Sequence, residues 1–241
     1  MYVTATAMLI VGTVALALIP FLPPLRAFGS VALTCAASWL VGSLLVSYYV
    51  YDVWPLYRGE WIEPALGISP RRYASFHVGF DEFSNQLATL FTDSIASTFD
   101  IYDAQEITEP SIRRARMQNT NQPPATPADF RSLPLRDDEL DAAFVIFAAH
   151  EFRSGDSRLK LFRELGRVLK PNGRILLVEH LRDFANFIPF GPGFLHFHSR
   201  SEWLRGITSA GLAITGETRL TPFVRAFRIQ KAPATPRSRS A

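Results

Sequence analysis

Hydrophobic and polar positions divide this chain near residue 52. Ahead of that point two apolar stretches, about Tyr2–Leu22 and Ala27–Tyr51, flank a break built from Pro20, Pro23, Pro24 and Arg26. About 20 apolar residues at 1.5 Å rise span a hydrocarbon core of roughly 30 Å, and lipid tolerates such a backbone only as helix. The pattern therefore predicts a transmembrane helical hairpin over residues 1–52. Small residues on the second stretch (Ala36, Ala37, Gly42, Ser43, Ser47) suit close helix packing. The aromatic run Tyr48, Tyr49, Tyr51, Trp54, Tyr57 and Trp61 suits the membrane–water boundary, so 53–72 reads as an interfacial linker. Two other readings of the first stretch are a cleaved signal peptide and a buried hairpin. The first is disfavoured by the missing basic n-region and by the second span that follows at once.

From Tyr73 on, short apolar runs alternate with helical segments, as in a parallel sheet of βαβ units. Tyr73–Gly79 reads as the first strand, Asn85–Phe91 as a helix, and Thr98–Tyr102 as a second strand closing on Asp103. Glu109–Met117 is helical with Pro110 in its first turn, and Gln118–Ala128 is a polar, proline-rich loop. Ala142–Ala149 is a continuous apolar run, the signature of a strand buried on both faces. Ser157–Leu169 places Leu161, Leu165, Val168 and Leu169 at helical spacing and stops at a turn in Pro171, Asn172 and Gly173. Arg174–Val178 is the next central strand, Glu202–Ala210 a helix stopped by Gly211, and two strands, Ala213–Leu220 and Phe223–Gln230, close the chain as a hairpin. That ending departs from the usual dinucleotide-binding plan.

Charge sharpens the division. Although 20% of all residues are charged, Arg26 is the only charged side chain from Met1 to Tyr51. The formal net charge of +3 is too small to imply a nucleic-acid partner. The end, 232–241, reads as a disordered basic tail. The single cysteine, Cys35, excludes an internal disulfide and any all-cysteine zinc site, and it sits among apolar neighbours as a small hydrophobe. P-loop, serine nucleophile-elbow and zinc-finger patterns are absent from the sequence.

The run from Leu133 to His180 carries a family likeness. "LPLRDDELDAAF" leads into one strand, and a helix ending in Glu164, Arg167, Val168, Leu169, Lys170, Pro171 and Gly173 leads into the next. This resembles class I S-adenosylmethionine-dependent methyltransferases, closest to the quinone-biosynthesis type, over roughly Tyr73 to Lys231. The resemblance implies an α/β fold: a Rossmann-like, mostly parallel seven-stranded sheet with a C-terminal antiparallel hairpin, over residues 73–231. It implies S-adenosylmethionine as cofactor, with Asp103 on the ribose hydroxyls (Asp100 in reserve) and Asp129 with Phe130 at adenine. The glycine loop would be His77–Ser84. The family pattern there is D/E-x-G-x-G-x-G, but only Gly79 survives, with Asp81 and Phe83 in the other glycine positions. Asp81 is then a candidate acceptor for the methionine ammonium.

All five histidines fall beyond residue 76. His77, His150 and His180 lie at expected carboxyl ends of strands, where open α/β sheets bind ligands. His150, Glu151 and His180 are thus the candidate catalytic groups, with a histidine as general base. His196 and His198, two apart, would share one side of an extended segment and raise the alternative of a metal-dependent enzyme, though no established zinc spacing occurs. A hydrogen-bonded structural role is the plainer reading of any single one of them. Arg113, Arg114 and Arg116 read as a solvated basic face. Phe187, Phe190, Phe194 and Phe197 read as core or as the wall of an apolar pocket. The resemblance, taken with the N-terminal hairpin, implies a membrane enzyme, its catalytic domain on the cytoplasmic side, that methylates a small, lipid-soluble acceptor. A non-catalytic scaffold is the third reading, supported only by the altered glycine loop.

Overall fold

The computed structural model describes residues 10–13, 23–79, 81–118 and 125–233. The chain divides into two units, one made of 1–56 with 182–197 and the other of 57–181 with 198–241.

In the first unit α1 (Pro23–Tyr48) runs for 26 residues, about 39 Å at 1.5 Å per residue, and passes into a wider turn at Tyr49–Val53. The segment Arg26–Arg58 is long and apolar enough to cross a membrane, and among the described residues it is alone in that. Of the two expected spans, the second is thus met by a helix of matching length and apolarity. The first expected span lies outside the described residues except for one helical turn at 10–13.

The second unit is built on a seven-stranded sheet in the order β3-β2-β1-β4-β5-β7-β6. Its strands are β1 (Arg72–His77), β2 (Ile95–Asp100), β3 (Thr126–Pro127), β4 (Leu140–Ile146), β5 (Leu169–His180), β6 (Leu212–Arg219) and β7 (Val224–Lys231). β1 to β5 are parallel, while β7 joins β5 antiparallel and β6 closes the hairpin. The helices of this unit are α2 (Ile62–Leu66), α3 (Ser84–Leu90), α4 (Pro110–Gln118), α5 (Gly155–Val168) and, after the first unit's α6 (Phe184–Phe190), α7 (Arg200–Ser209). Phe144, Val145, Leu176 and Leu177 are fully buried, as expected of central strands covered on both faces. Burying each such side chain is worth about 1.5–3 kcal/mol. Ser154 caps α5 and a Ser199–Glu202 capping box starts α7.

Three expectations need correction. The second strand starts at Ile95 and ends at Asp100, because its register with β1 runs from Arg72↔Ile95 to His77↔Asp100. Asp103 therefore lies in the following turn and does not close the strand. Residues 53–72 are not simply a linker. Ile62, Ala65 and Leu66 are buried, and α2 packs on β5, β6 and β7. The rings of Tyr57 and Trp61, read as part of an interfacial belt, pack on Phe83 at 5.4 and 6.4 Å. Finally, 182–197 groups with α1 and not with the sheet domain.

Glu164 and Arg167, which carried the family likeness, turn out to clamp the segment before β4. Glu164 accepts from the Leu133 amide, and Arg167 donates to the Leu133 and Leu135 carbonyls and to Asp137. Their pattern is a structural one.

Candidate active site

The strand order reverses direction between β1 and β4, and ligands of open α/β sheets bind beside the carboxyl ends at such a point. On the β1–β2 side a cavity of about 490 Å³ is lined by Asp100, Tyr102, Asp103, Arg116, Asp129, Phe130 and Arg131, a size typical of small-molecule sites. Asp100, at the strand end, pairs with Arg116 Nη1 at 2.7 Å. The same guanidinium lies 4.2 Å over the Tyr102 ring. A Cβ on Gly79, whose φ is +118°, would come within 2.6 Å of the Arg116 side chain. A glycine is thus required at 79 both by its backbone conformation and by the close approach of Arg116.

Arg131 organises the other wall. It donates to Asp103 at 2.7 Å, to Glu106 at 2.8 Å and to Asp129 at 3.3 Å. Its hydrogen bond holds the Asp103 carboxyl below the usual range, with the Gln105 amide assisting. Phe130 is fully buried against Phe152, ring centroids 4.5 Å apart. Its side chain belongs to the core, with the Arg131 guanidinium 4.1 Å over its ring.

At the altered glycine loop, Asp81 Oδ1 accepts from the Ser84 amide at 3.0 Å. Asp81 Oδ2 and His77 Nε2 are buried with no hydrogen-bond partner among the described residues. The Gly79 amide donates to His77 Nδ1 at 3.3 Å, which places the imidazole proton on Nε2. Burial lowers the His77 pKa against the opposing pull of Asp100 and Asp81. Orphaned buried polar atoms carry a desolvation cost that a ligand can relieve. One acceptor and one donor at this loop, with the carboxylates of Asp100, Asp103 and Asp129, fit a ligand bearing an ammonium, ribose hydroxyls and an adenine.

On the β4–β5 side the chain leaves β4 through Phe147, a non-glycine residue at φ +50°, a strained conformation of the kind that collects at functional sites. The turn carries Ala149–Glu151 over the end of β5. There His150 Nδ1 lies 2.7 Å from Glu179 Oε2, and the His150 amide donates to Glu179 Oε1 at 3.2 Å. Glu151 Oε1 stands 3.2 Å from His150 Nε2. Burial alone would lower the His150 pKa, but Glu179 and Glu151 outweigh it and push it up to about 10. An imidazole held by a buried carboxylate on one nitrogen is the base-and-orienter arrangement of proton-transfer sites.

The other histidines part company. His180 follows Glu179 on β5 and so projects from the opposite face. It stacks on Phe147 at 5.4 Å and its Nδ1 is 3.0 Å from the Phe223 carbonyl oxygen. His198 Nε2 is 2.9 Å from Arg158 Nη1, and burial followed by Arg158 and Arg153 lowers its pKa to about 4. It is a neutral structural acceptor. His196 belongs to the first unit, so the pair is divided between the two.

Sequence reasoning passed over Glu179 as a site residue, although β4 and β5 were both legible and their ends had to be neighbours. It also missed Arg116 and Arg131, whose partners are distant in sequence.

Residues 88–177 match the model of the family described as "Methyltransferase domain". A curated relative, the uncharacterized methyltransferase YcgJ of Bacillus subtilis (strain 168), is 41% identical over 81 residues, covering 30% of this chain and 31% of that protein. The chain thus matches about a third of that relative's length. Among solved structures, a SAM-dependent methyltransferase from Aquifex aeolicus superposes with a TM-score of 0.56 at 14% identity, covering 77% of this chain and 92% of that one. Human N-acetylserotonin methyltransferase in complex with SAM gives 0.52 at 15% identity, covering 83% and 57%. Geranyl diphosphate C-methyltransferase from Streptomyces coelicolor A3(2) gives 0.52 at 14%, covering 73% and 78%. At these identities the structures establish the fold. Residues 88–177 thus match a methyltransferase-domain model, and the chain shares the fold of these solved methyltransferases.

Proposed function

We propose that this protein is a membrane-anchored S-adenosylmethionine-dependent methyltransferase of a small, lipid-soluble acceptor. The observation that carries the reading is the union, on one sheet edge, of a carboxylate-lined cavity and the His150–Glu179 pair. Asp100 and Asp103 would take the ribose hydroxyls, Asp129 and the Phe130 backbone the adenine, and Asp81 with the Gly79 turn the methionine end. When bound, the cofactor supplies an already electrophilic methyl group, so positioning and proton removal are what the protein must add.

Glu179 on Nδ1 fixes the imidazole so that, once His150 is neutral, its lone pair sits on Nε2. That nitrogen faces Glu151, and an acceptor hydroxyl would compete with Glu151 for it. The acceptor's proton then goes to Nε2, and the resulting imidazolium is stabilised by both carboxylates. The anchor reading rests on α1, and a cofactor made in the cytosol favours the cytoplasmic face for the domain.

Titration calorimetry of the detergent-purified full chain with S-adenosylhomocysteine tests the cofactor half. Saturable binding weakened by Asp100→Ala supports it, and no binding to folded wild type would overturn it.

A further inference from the structure

Between β5 and α7 the chain makes an excursion closed at its base, where Leu181 and His198 pair in a bridge. The residues between, 182–197, group with the N-terminal helix. From Phe184 to Ser199 no Asp, Glu, Lys or Arg occurs. α6 is capped by Asp183, whose side chain accepts from the Asn186 amide, and it runs into a tighter turn over Gly191–His196.

This segment is fitted to α1. The Trp39 and Phe187 rings meet edge to face at 6.1 Å. A Cβ on Gly42 would come within 3.3 Å of the Pro189 backbone, and one on Gly191, at φ +51°, within 2.3 Å of the Trp39 ring. Gly42 thus lets the Pro189 backbone approach α1, and Gly191 makes room for the Trp39 ring; small residues at a contact are the packing device of helices in lipid. Trp39 lies nine residues before Tyr48, about 13 Å along the helix. If the tyrosines at the end of α1 sit at headgroup level, this contact lies inside the hydrocarbon.

The outward side of the segment is apolar as well. Phe184 is 75% exposed, Ile188 60% and Leu195 56%, and Phe184 with Ile188 share one helix face at i, i+4. On α1, to which this segment is fitted, Phe28, Val31, Val41 and Leu45 are likewise each more than half exposed. Water would solvate that combined surface poorly, whereas acyl chains match it.

We infer that residues 184–195 form a second membrane-embedded element, a short re-entrant segment seated on α1 with Phe184, Ile188 and Leu195 among the lipid acyl chains. The inference rests on the reading of α1 as a membrane span. It makes the loop that directly follows His180 in sequence a part of the anchor.

The test uses the full chain in a Cys35→Ser background, with single substitutions Phe28→Cys on α1, Ile188→Cys on α6 and Arg219→Cys on β6. Each is labelled with bimane and reconstituted into phosphatidylcholine vesicles. Nitroxide-bearing acyl chains should quench the labels at 28 and 188 to a similar degree, and iodide should quench both several-fold less than the label at 219. Nitroxide quenching at 28 combined with iodide quenching at 188 would overturn the inference while leaving the anchor intact. Iodide quenching at both would remove the anchor too. A label at 188 reached by neither quencher would mean that protein, not lipid, covers α6, and would likewise overturn it.

Discussion

At the β1–β2 end of the ligand edge, Arg116 and Arg131 hold their carboxylates from positions about a third open to solvent, 31% and 33% exposed. At the β4–β5 end, His150 and Glu179 face each other at 13% and 1% exposed. The first arrangement can be opened cheaply, since half-exposed ion pairs are worth about 0.2–1 kcal/mol. The second is pre-set, and removing one partner from a buried pair costs about 3–5 kcal/mol because a charge is left stranded. On the proposed reading, one end would exchange its partners for a ligand and the other would hold one proton-transfer group still.

Breaking the buried end should give the largest effect. Glu179→Gln removes the charge that orients His150, and methyl transfer should fall by about 10²–10⁴-fold, the usual worth of a positioned base. Affinity for S-adenosylhomocysteine should stay as it was, and loss of both together would mean that the two ends are not separable. The same pair sets a pH dependence. The folded pKa of His150, about 10, lies above its unfolded value of about 6.5. Its stabilising contribution is therefore complete below about pH 6.5 and is lost as pH climbs through about 10. Thermal denaturation across that window should show the decline, and Glu179→Gln should flatten it. Activity should run the other way, with kcat/KM rising toward pH 10 as His150 loses its proton.

The open end should respond more mildly. Asp100→Ala should weaken S-adenosylhomocysteine binding by about 10–100-fold, as expected for hydrogen bonds to a charged group worth about 1.5–3 kcal/mol. Asp103→Ala should do less, since Asp103 lies three residues beyond the strand end that Asp100 occupies. Smallest of all, Arg116→Ala should tighten binding by up to about fivefold, the value of one half-exposed ion pair to be displaced. Weaker binding in that variant would show that Arg116 holds the ligand and does not merely occupy its place.

Much of this molecule was legible before its folding was known, for physical reasons that differ by element. The run at Ala142–Ala149 reads as a doubly covered strand because only such a strand tolerates unbroken apolarity. Likewise α1 was legible as a long apolar helix, because an almost uncharged run of that length has the dimensions of a hydrocarbon span. Boundaries were less secure. The second strand starts three residues and ends two residues before its expected bounds since Ile95 and Ala96 carry no alternation, and only pairing with β1 fixed the register.

The candidate site shows the same division. Sequence alone determined the fold class, the acidic residues near the second strand, and the histidines at strand ends, because these follow from local periodicity and from motif spacing. It could not determine that Glu179 meets His150, that Arg116 lies across Gly79, or that Phe130 turns its ring into the core. Those depend on which strand lies beside which and on the direction in which each side chain leaves it. Nor could it show that 182–197 departs from the sheet domain to pack on α1. That contact joins segments about 150 residues apart in sequence and needs the room that glycines at 42 and 191 leave beside Pro189 and Trp39.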